Sequence, residues 1–467
     1  MPDLLRCSHS PRITRFLIAQ PLTRLKPTST ILGFALLLAI PASLNCQRLS
    51  LEDAVTAAEA NNRTILGAQL EKKKAIEEIY VARTQRLPVF SLTALGSQPL
   101  SHLGLTLEKG SLGVYPTVGP IPGKTTTLEN PLKVGGIFFT TIAEPLSQHY
   151  KIGLGIQLAR VGAAAANEQF RSQRQSVANE ARRLYYGIFE AESGKKSLQS
   201  TVDFLRQLDR DTDQDTLQRV ALKSDALSVK AQLAQAEYEL LKLDDPLQTQ
   251  KQQLNRLMGR DVDTPFELEA LSATDSTLPD LKQACAQALE SRPEIRLAKL
   301  ELEKATLARR IASAQRIPDI SLSATSLVTV NLSSALPSNV SGVGVQMNWD
   351  VFDWGRKRKQ VQENRQAEEQ ASLQLKDAAA LVIIDVSHRY RQLLEARKEL
   401  EVAGTLQSAA RELVRVAANR YTQKQSLLSD VLKAQSGLSE SDHRFTQALL
   451  NVATVQADFD KAIGADQ

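Results

Sequence analysis

A chain of 467 residues with 42% hydrophobic side chains buries a core, and 5% aromatic with 23% charged residues keeps it within the ordinary globular range. The net charge of +5 comes from 57 basic and 52 acidic residues. Much of it precedes residue 50, where Arg6, Arg12, Arg15, Arg24, Lys26 and Arg48 face only Asp3, so the rest is near neutral and a basic nucleic-acid surface is excluded.

The chain begins with those basic residues, followed by the apolar run 31–40 and Pro41-Ala42-Ser43. The run has the length of a secretory leader and is too short to span a bilayer as a helix. Residues 1–46 are therefore expected to be a leader. Cleavage after Ala42 and lipidation of Cys46 are both compatible with this pattern. Cys7 falls in the leader, and Cys285, on an apolar helical stripe, reads as a buried free thiol. Three cysteines provide neither a disulfide framework nor a zinc spacing.

Beyond the leader the sequence repeats itself. Residues 51–94 align without gaps to 281–324, an offset of 230; Gln85-Arg86-Leu87-Pro88 meets Gln315-Arg316-Ile317-Pro318. Later segments align at an offset of 205. Tyr185 meets Tyr390, Leu222, Ser224, Asp225 and Leu227 meet Leu427, Ser429, Asp430 and Leu432, and Gly259 meets Gly464. The offsets differ by 230 − 205 = 25 residues, so the first copy carries that excess, most naturally in the Pro/Gly-rich stretch 96–136. The expected organisation is a first repeat at 47–260, a linker at 261–280 and a second repeat at 281–467.

Each repeat opens on a helix that stops before a proline, Pro88 or Pro318. An extended hairpin follows. In 321–333, Leu322, Ala324, Val328, Val330 and Leu332 alternate with mostly polar residues; in 343–351, Val343, Val345, Met347, Trp349 and Val351 do so. Such segments suit either a hairpin packed on helices or a membrane-spanning hairpin, apolar to lipid and polar to a lumen. Trp349, Phe352 and Trp354 stand where an aromatic girdle would lie, with Arg356-Lys357-Arg358-Lys359 behind them. Two hairpins give four strands, too few to close a membrane barrel, so the spanning alternative requires several chains.

Very long helices are expected next. No proline occurs between Pro145 and Pro246 or after Pro337, and Ala, Leu, Gln, Glu, Lys and Arg crowd the chain after residue 150. Val382, Val386, Leu393, Leu400, Leu406, Leu413 and Val416 form a coiled-coil-like seam. Turns near 216–225 and 421–430 lead into returning helices, with Ser224 and Ser429 expected as caps and Asp225 and Asp430 in the first turn.

This order resembles the TolC-like outer-membrane efflux family across residues 49–464. The resemblance is carried by Leu51–Arg63 with its copy 281–293, by Gln-Arg-hydrophobic-Pro before each first strand, by Trp349-Asp350-Val351-Phe352-Asp353-Trp354-Gly355-Arg356, and by Leu427–Leu432 with the run to Gly464. It implies a mainly α protein with short antiparallel β, two tandem repeats of helix–β-hairpin–long helix–helix, assembled as a homotrimer with a shared β-barrel and an α-helical barrel. It further implies an outer-membrane channel of a Gram-negative bacterium, embedded in outer-membrane lipid, working passively with a periplasmic adaptor and an inner-membrane pump, in efflux or type I secretion. By the same resemblance Asp430 lines a closed tip, Tyr421 belongs to the gate network, and Leu222, Ser224, Asp225, Leu427 and Ser429 meet the adaptor. Lys424, Ser426 and Lys433 depart from the family pattern at that tip, and Lys433 either pairs with Asp430 or weakens cation selectivity.

An enzyme is disfavoured. His9, His102, His149, His388 and His443 are dispersed without metal spacing, and no phosphate loop, nucleophile elbow or cofactor motif is present. The alternative is a periplasmic coiled-coil adaptor, which would carry one helical hairpin flanked by β-rich domains rather than two hairpins.

Overall fold

The computed structural model describes residues 47–98, 100–101, 104–129, 132–218, 222–269, 280–331, 338–423 and 425–465; the expected leader and Cys46 lie outside them. The chain enters through β1 (Gln47–Leu49), α1 (Leu51–Asn61) and α2 (Arg63–Thr84). Ser50 caps α1, its Oγ accepting the Asp53 N–H, and Asn62 caps α2 by accepting from Thr64 and Ile65. After Pro88 comes β2 (Val89–Ser97). The connection that follows holds β3 (Gly104–Leu107), β4 (Val114–Tyr115), β5 (Gly119–Pro120) and β6 (Thr126–Glu129), paired as two small antiparallel ladders, and leads to β7 (Gly135–Pro145).

Helix α3 (His149–Leu217) has 69 residues and is about 100 Å long. It is followed by α4 (Lys223–Lys242), α5 (Asp244–Leu257) and β8 (Phe266–Leu268). The second half runs α6 (Leu281–Ser291), α7 (Pro293–Ala314), β9 (Asp319–Val330), β10 (Asn339–Asn348), α8 (Arg356–Thr422) and α9 (Leu428–Ala462). Helices α6 and α7 have 11 and 22 residues, as α1 and α2 do. Helix α9 is continuous, whereas the corresponding stretch of the first half breaks at Leu243. The reason is Pro246, which stands where α9 has Asn451; it sits in the first turn of α5, where a missing N–H costs no helical bond.

The densest packing lies around α1, α5 and the middle of α3, where Ala54, Ala58, Leu254 and Met258 have no exposed surface. Both returning helices end there in the same way. Gly259 and Gly464 are left-handed (φ +70° and +74°), and the next residue's N–H reaches back to Asn255 and Asp460. Each glycine presses on the break between two short helices: Gly259 on Asn61, Gly464 on Ser291 and Arg292. Asn62 Nδ2 donates to the Leu257 carbonyl, and Ser291 Oγ to the Ile463 carbonyl. Strands β1 and β8 pair in parallel beside this collar, and the Tyr185 hydroxyl donates to the Leu49 and Glu269 carbonyls, with burial raising its pKa.

Helix α3 joins the halves by packing against α2, α4, α7 and α9, and α8 packs against α7 and α9. A second polar knot lies between them. Asp458 of α9, 6% exposed, accepts from Asn179 and Arg183 of α3 and from Arg389 of α8.

Two expectations need correction. The seam along α8 takes other residues than expected: Val382, Val386 and Leu393 are buried and Ala396, Ala403 and Ala410 continue it at heptad spacing, whereas Leu406 and Leu413 are exposed. Cys285 is half-buried against the α6–α8–α9 cluster rather than enclosed.

Candidate functional site

Strands β10, β9, β7 and β2 form one antiparallel sheet in that order, so β10 and β2 are open edges. The strands have 10, 12, 11 and 9 residues, the span of a tilted transmembrane strand. The register sorts the side chains. Phe90, Ile142, Ala324 and Val343 lie in one row and Ala94, Phe138, Val328 and Asn339 in another on the same face, with the more polar row Leu92, Thr140, Ser326 and Ser341 between them. The opposite face carries Ser91, Thr141, Thr325 and Gly342 in one row and Ser323 beside Gly344. This second face also holds apolar residues near the loop end, where Phe139 and Leu327 are paired. Every residue of β2 and β10 is exposed, so among the described residues nothing covers these two strands.

The sequence from Trp349 to Arg356 turns the chain from β10 into α8. Trp354 and Gly355 are left-handed (φ 51° and 83°), and Asp353 fastens the turn by accepting from the Gly355 and Lys357 N–H groups. The Lys357 bond, with help from the Gly355 N–H and the neighbouring cations, holds the Asp353 carboxyl below its ordinary pKa. Phe352 and Trp354 meet edge to face at 5.0 Å and are exposed.

At the far end lie the α3–α4 and α8–α9 turns. The caps differ from expectation: Leu222 and Leu427 occupy the N-cap positions, while Ser224 and Ser429 are the second residues of their helices. A leucine side chain accepts no hydrogen bond, so Asp430 compensates. Its Oδ2 accepts the Leu427 N–H at 3.2 Å, which is the acidic half of a capping box. Asp225 holds the corresponding third position of α4. Asp430 and Lys433 are not buried and, among the described residues, form no ion pair with each other; Tyr421 is exposed in the last turn of α8. Leu222 and Leu427 are bare apolar caps. Lys424 lies outside the described residues, and Ser426 Oγ is shut from solvent without a hydrogen-bond partner among them.

The two turns are linked through Leu432, which packs on the α3–α4 cluster of Val202, Leu205 and Leu208. Its counterpart Leu227 is 59% exposed. The duplicated sequence thus places one leucine inside the chain and the other on its rim. Sequence reasoning missed Asp458 with its two arginines, because the repeat has Gln253 at that position and offers no duplicated signal. No helix of the described residues is long and apolar enough to cross a membrane, and no group of side chains there could hold a metal ion.

Comparison with known proteins finds a likeness for this geometry. Residues 284–465 match the model of the outer membrane efflux protein family, which the second half of the chain resembles. The described fold is that of the TolC-like outer-membrane channels. It superposes on the CmeC outer membrane channel of Campylobacter jejuni (TM-score 0.72, 16% identity, 89% of this chain and 85% of that one). It also superposes on the outer membrane protein VceC of Vibrio cholerae (0.68, 17%, 89% and 96%) and on the open MtrE outer membrane channel of Neisseria gonorrhoeae (0.68, 17%, 89% and 88%). No curated protein sequence matches the chain.

Proposed function

We propose that the protein is the outer-membrane channel of a tripartite export system, a homotrimer that passively conducts small molecules or secreted substrates from a periplasmic adaptor and inner-membrane pump to the outside. The observation that carries this reading is the bare sheet. Four strands with an uncovered apolar face and two open edges are stable in lipid only when the edges close, and three such sheets supply a twelve-stranded barrel. The helices give the same support. Leu70, Tyr80 and Val81 on α2, Leu227 and Leu241 on α4, and Leu381, Ile384, Leu406 and Leu413 on α8 are exposed along the rims that adjoining copies would cover.

In this reading 1–46 is the leader, 47–260 and 281–467 are the repeats, 261–280 links them, and residues about 96–136 form the external loop. Asp430 lines the tip constriction with Tyr421 and Lys433. Leu222, Ser224, Asp225, Leu427 and Ser429 dock the adaptor, with the two bare leucines as anchors.

The protein should fractionate with the outer membrane and run on unheated gels as a trimer that heating dissociates; a soluble periplasmic monomer would rule the channel out. In planar bilayers Asp430→Ala should raise conductance and weaken block by divalent cations; unchanged conductance and block would remove Asp430 from the gate. Cysteines at Ser224 and Ser429 should cross-link the adaptor, and failure of both would move the docking surface elsewhere.

A further inference from the structure

Where α2 and the turn after it meet α3, close to the sheet, the helices part around a cavity of about 520 Å³. Three guanidinium side chains line it: Arg83 and Arg86 from the α2 side and Arg160 from α3, with Gln157 and Tyr80 beside them. Arg83 lies over the Tyr80 ring at 5.5 Å. Arg86 reaches across to α3 at Gly153, where an added Cβ would come within 3.5 Å of its Nη2. No carboxylate lines the cavity, and among the described residues none of the three arginines forms an ion pair.

The second half treats the same place differently. Between α7 and α8, Glu368 accepts from Arg309 at 2.6 Å and from Thr306 at 2.8 Å. By the two offsets, 309 − 230 = 79, 306 − 230 = 76 and 368 − 205 = 163, the first-half positions are Ile79, Ile76 and Ala163. The Glu368 carboxylate is replaced by Ala163, Arg86 and Arg160 keep the charge of Arg316 and Arg365, and Arg83 adds a third guanidinium where the second half has Ser313, with no neutralising carboxylate among the described residues. Guanidinium groups match phosphate oxygens in pairs, so an unneutralised trio around a cavity is suited to a phosphate.

We infer that this cavity binds the phosphate of an anionic ligand, and that its position favours a phospholipid headgroup on the inner side of the membrane. Leu87 lines the cavity, and Phe90, three residues on, opens the apolar face of the sheet. The lipid source rests on the channel reading above; the phosphate site does not.

The test uses the full-length protein and its Arg83→Gln/Arg86→Gln/Arg160→Gln variant, all three changes falling on exposed side chains. Each is reconstituted in vesicles of phosphatidylethanolamine and phosphatidylglycerol, re-extracted and weighed by native mass spectrometry. In parallel, thermal unfolding in detergent is followed in inorganic phosphate against chloride at equal ionic strength. The wild type should retain phosphatidylglycerol in preference to phosphatidylethanolamine, and the variant should lose that preference by on the order of tenfold. A response to inorganic phosphate alone, lost in the variant, would support the site with a soluble phosphate as its source. Gln157→Glu, which brings a carboxylate in and removes no arginine, should reproduce the loss and serves if the triple variant fails to assemble. Wild-type behaviour of the variants in both arms would overturn the inference. Because the phosphate arm needs no membrane, it separates failure of this site from failure of the channel reading.

Discussion

Around the collar, Ala54, Ala58, Leu254 and Met258 have no accessible surface, while not one residue of β2 or β10 is buried. Both regions are built by the duplicated sequence, yet they solve different problems. At the collar each helix end finds its partner within the chain: Asn62 reaches Leu257, Ser291 reaches Ile463, and two left-handed glycines let the backbones touch. In the sheet, among the described residues, β2 and β10 have no partner strand on one side, and Phe90, Ile142 and Val343 of the apolar row are exposed. The difference teaches which contacts belong to one chain and which await other copies or lipid.

The largest expected effect is at the collar. A Cβ on Gly259 would stand 2.6 Å from the Asn61 carbonyl oxygen, and its φ of +70° is strained for any L side chain. The dihedral alone costs about 1–2 kcal/mol and the backbone clash adds to it, so Gly259→Ala should lose about 3 kcal/mol or more. Gly464→Ala should cost less. Its closest contact is Ser291 Oγ at 2.7 Å, the end of a side chain that can turn away, although Arg292 N at 3.0 Å remains. Thermal unfolding of the purified protein checks the ranking; equal stability of both variants with wild type would mean that the collar is not closely packed.

The second effect addresses the sheet. Val343 and Gly344 are neighbours on β10 but face opposite ways, opposite Ala324 and Ser323. If the apolar row meets lipid, Val343→Lys places a charge near mid-bilayer and costs about 2–4 kcal/mol. Gly344→Lys, with open space around the new Cβ, should be tolerated on the polar side. The measurement is the fraction of heat-dissociable trimer in outer membranes. Equal tolerance of the two lysines would erase the distinction between faces on which the channel reading rests.

Much of this comparison was legible from the residues. The two offsets marked the matching helices and Gly259 with Gly464, and alternation in 321–351 marked the strands of the second hairpin. What escaped had physical reasons. Pro246 breaks a helix that its copy keeps whole, a difference that a repeat alignment conceals. Leu222 and Leu427 take the cap positions two residues before the serines, because capping preference is local and the backbone enters each helix earlier than that preference suggests. Leu406 and Leu413 lie one residue off the heptad register of Val386 and Leu393, and the seam continues on the small residues Ala396, Ala403 and Ala410, which an apolar-leucine reading passes over. Asp458 and the Arg83–Arg86–Arg160 cavity join residues far apart in sequence; Asp458 aligns with Gln253 and Arg83 with Ser313, while Arg86 and Arg160 align with Arg316 and Arg365, so the repeat gives the cavity no distinct signal.

The smallest effect sharpens the comparison between the two helix pairs beneath the sheet. Glu368 is held below its ordinary pKa by the Thr306 hydroxyl and, against a desolvation penalty, by the Arg309 and Arg310 guanidiniums. A carboxyl whose pKa is lower folded than unfolded contributes stability that is present above the unfolded value and is lost as pH falls through the folded one. Its side chain is 25% exposed and that of Arg309 36%, so solvent screens the pair and the contribution is about 0.5–1 kcal/mol. Glu368→Gln keeps the shape and removes the charge. The wild type should therefore unfold at higher temperature than the variant at neutral pH, and the gap should close below the unfolded carboxylate range, pH ~4.3. A gap that persists into strong acid would show that the α7–α8 contact depends on shape and not on the ion pair, and would weaken the contrast with the bare arginines between α2 and α3.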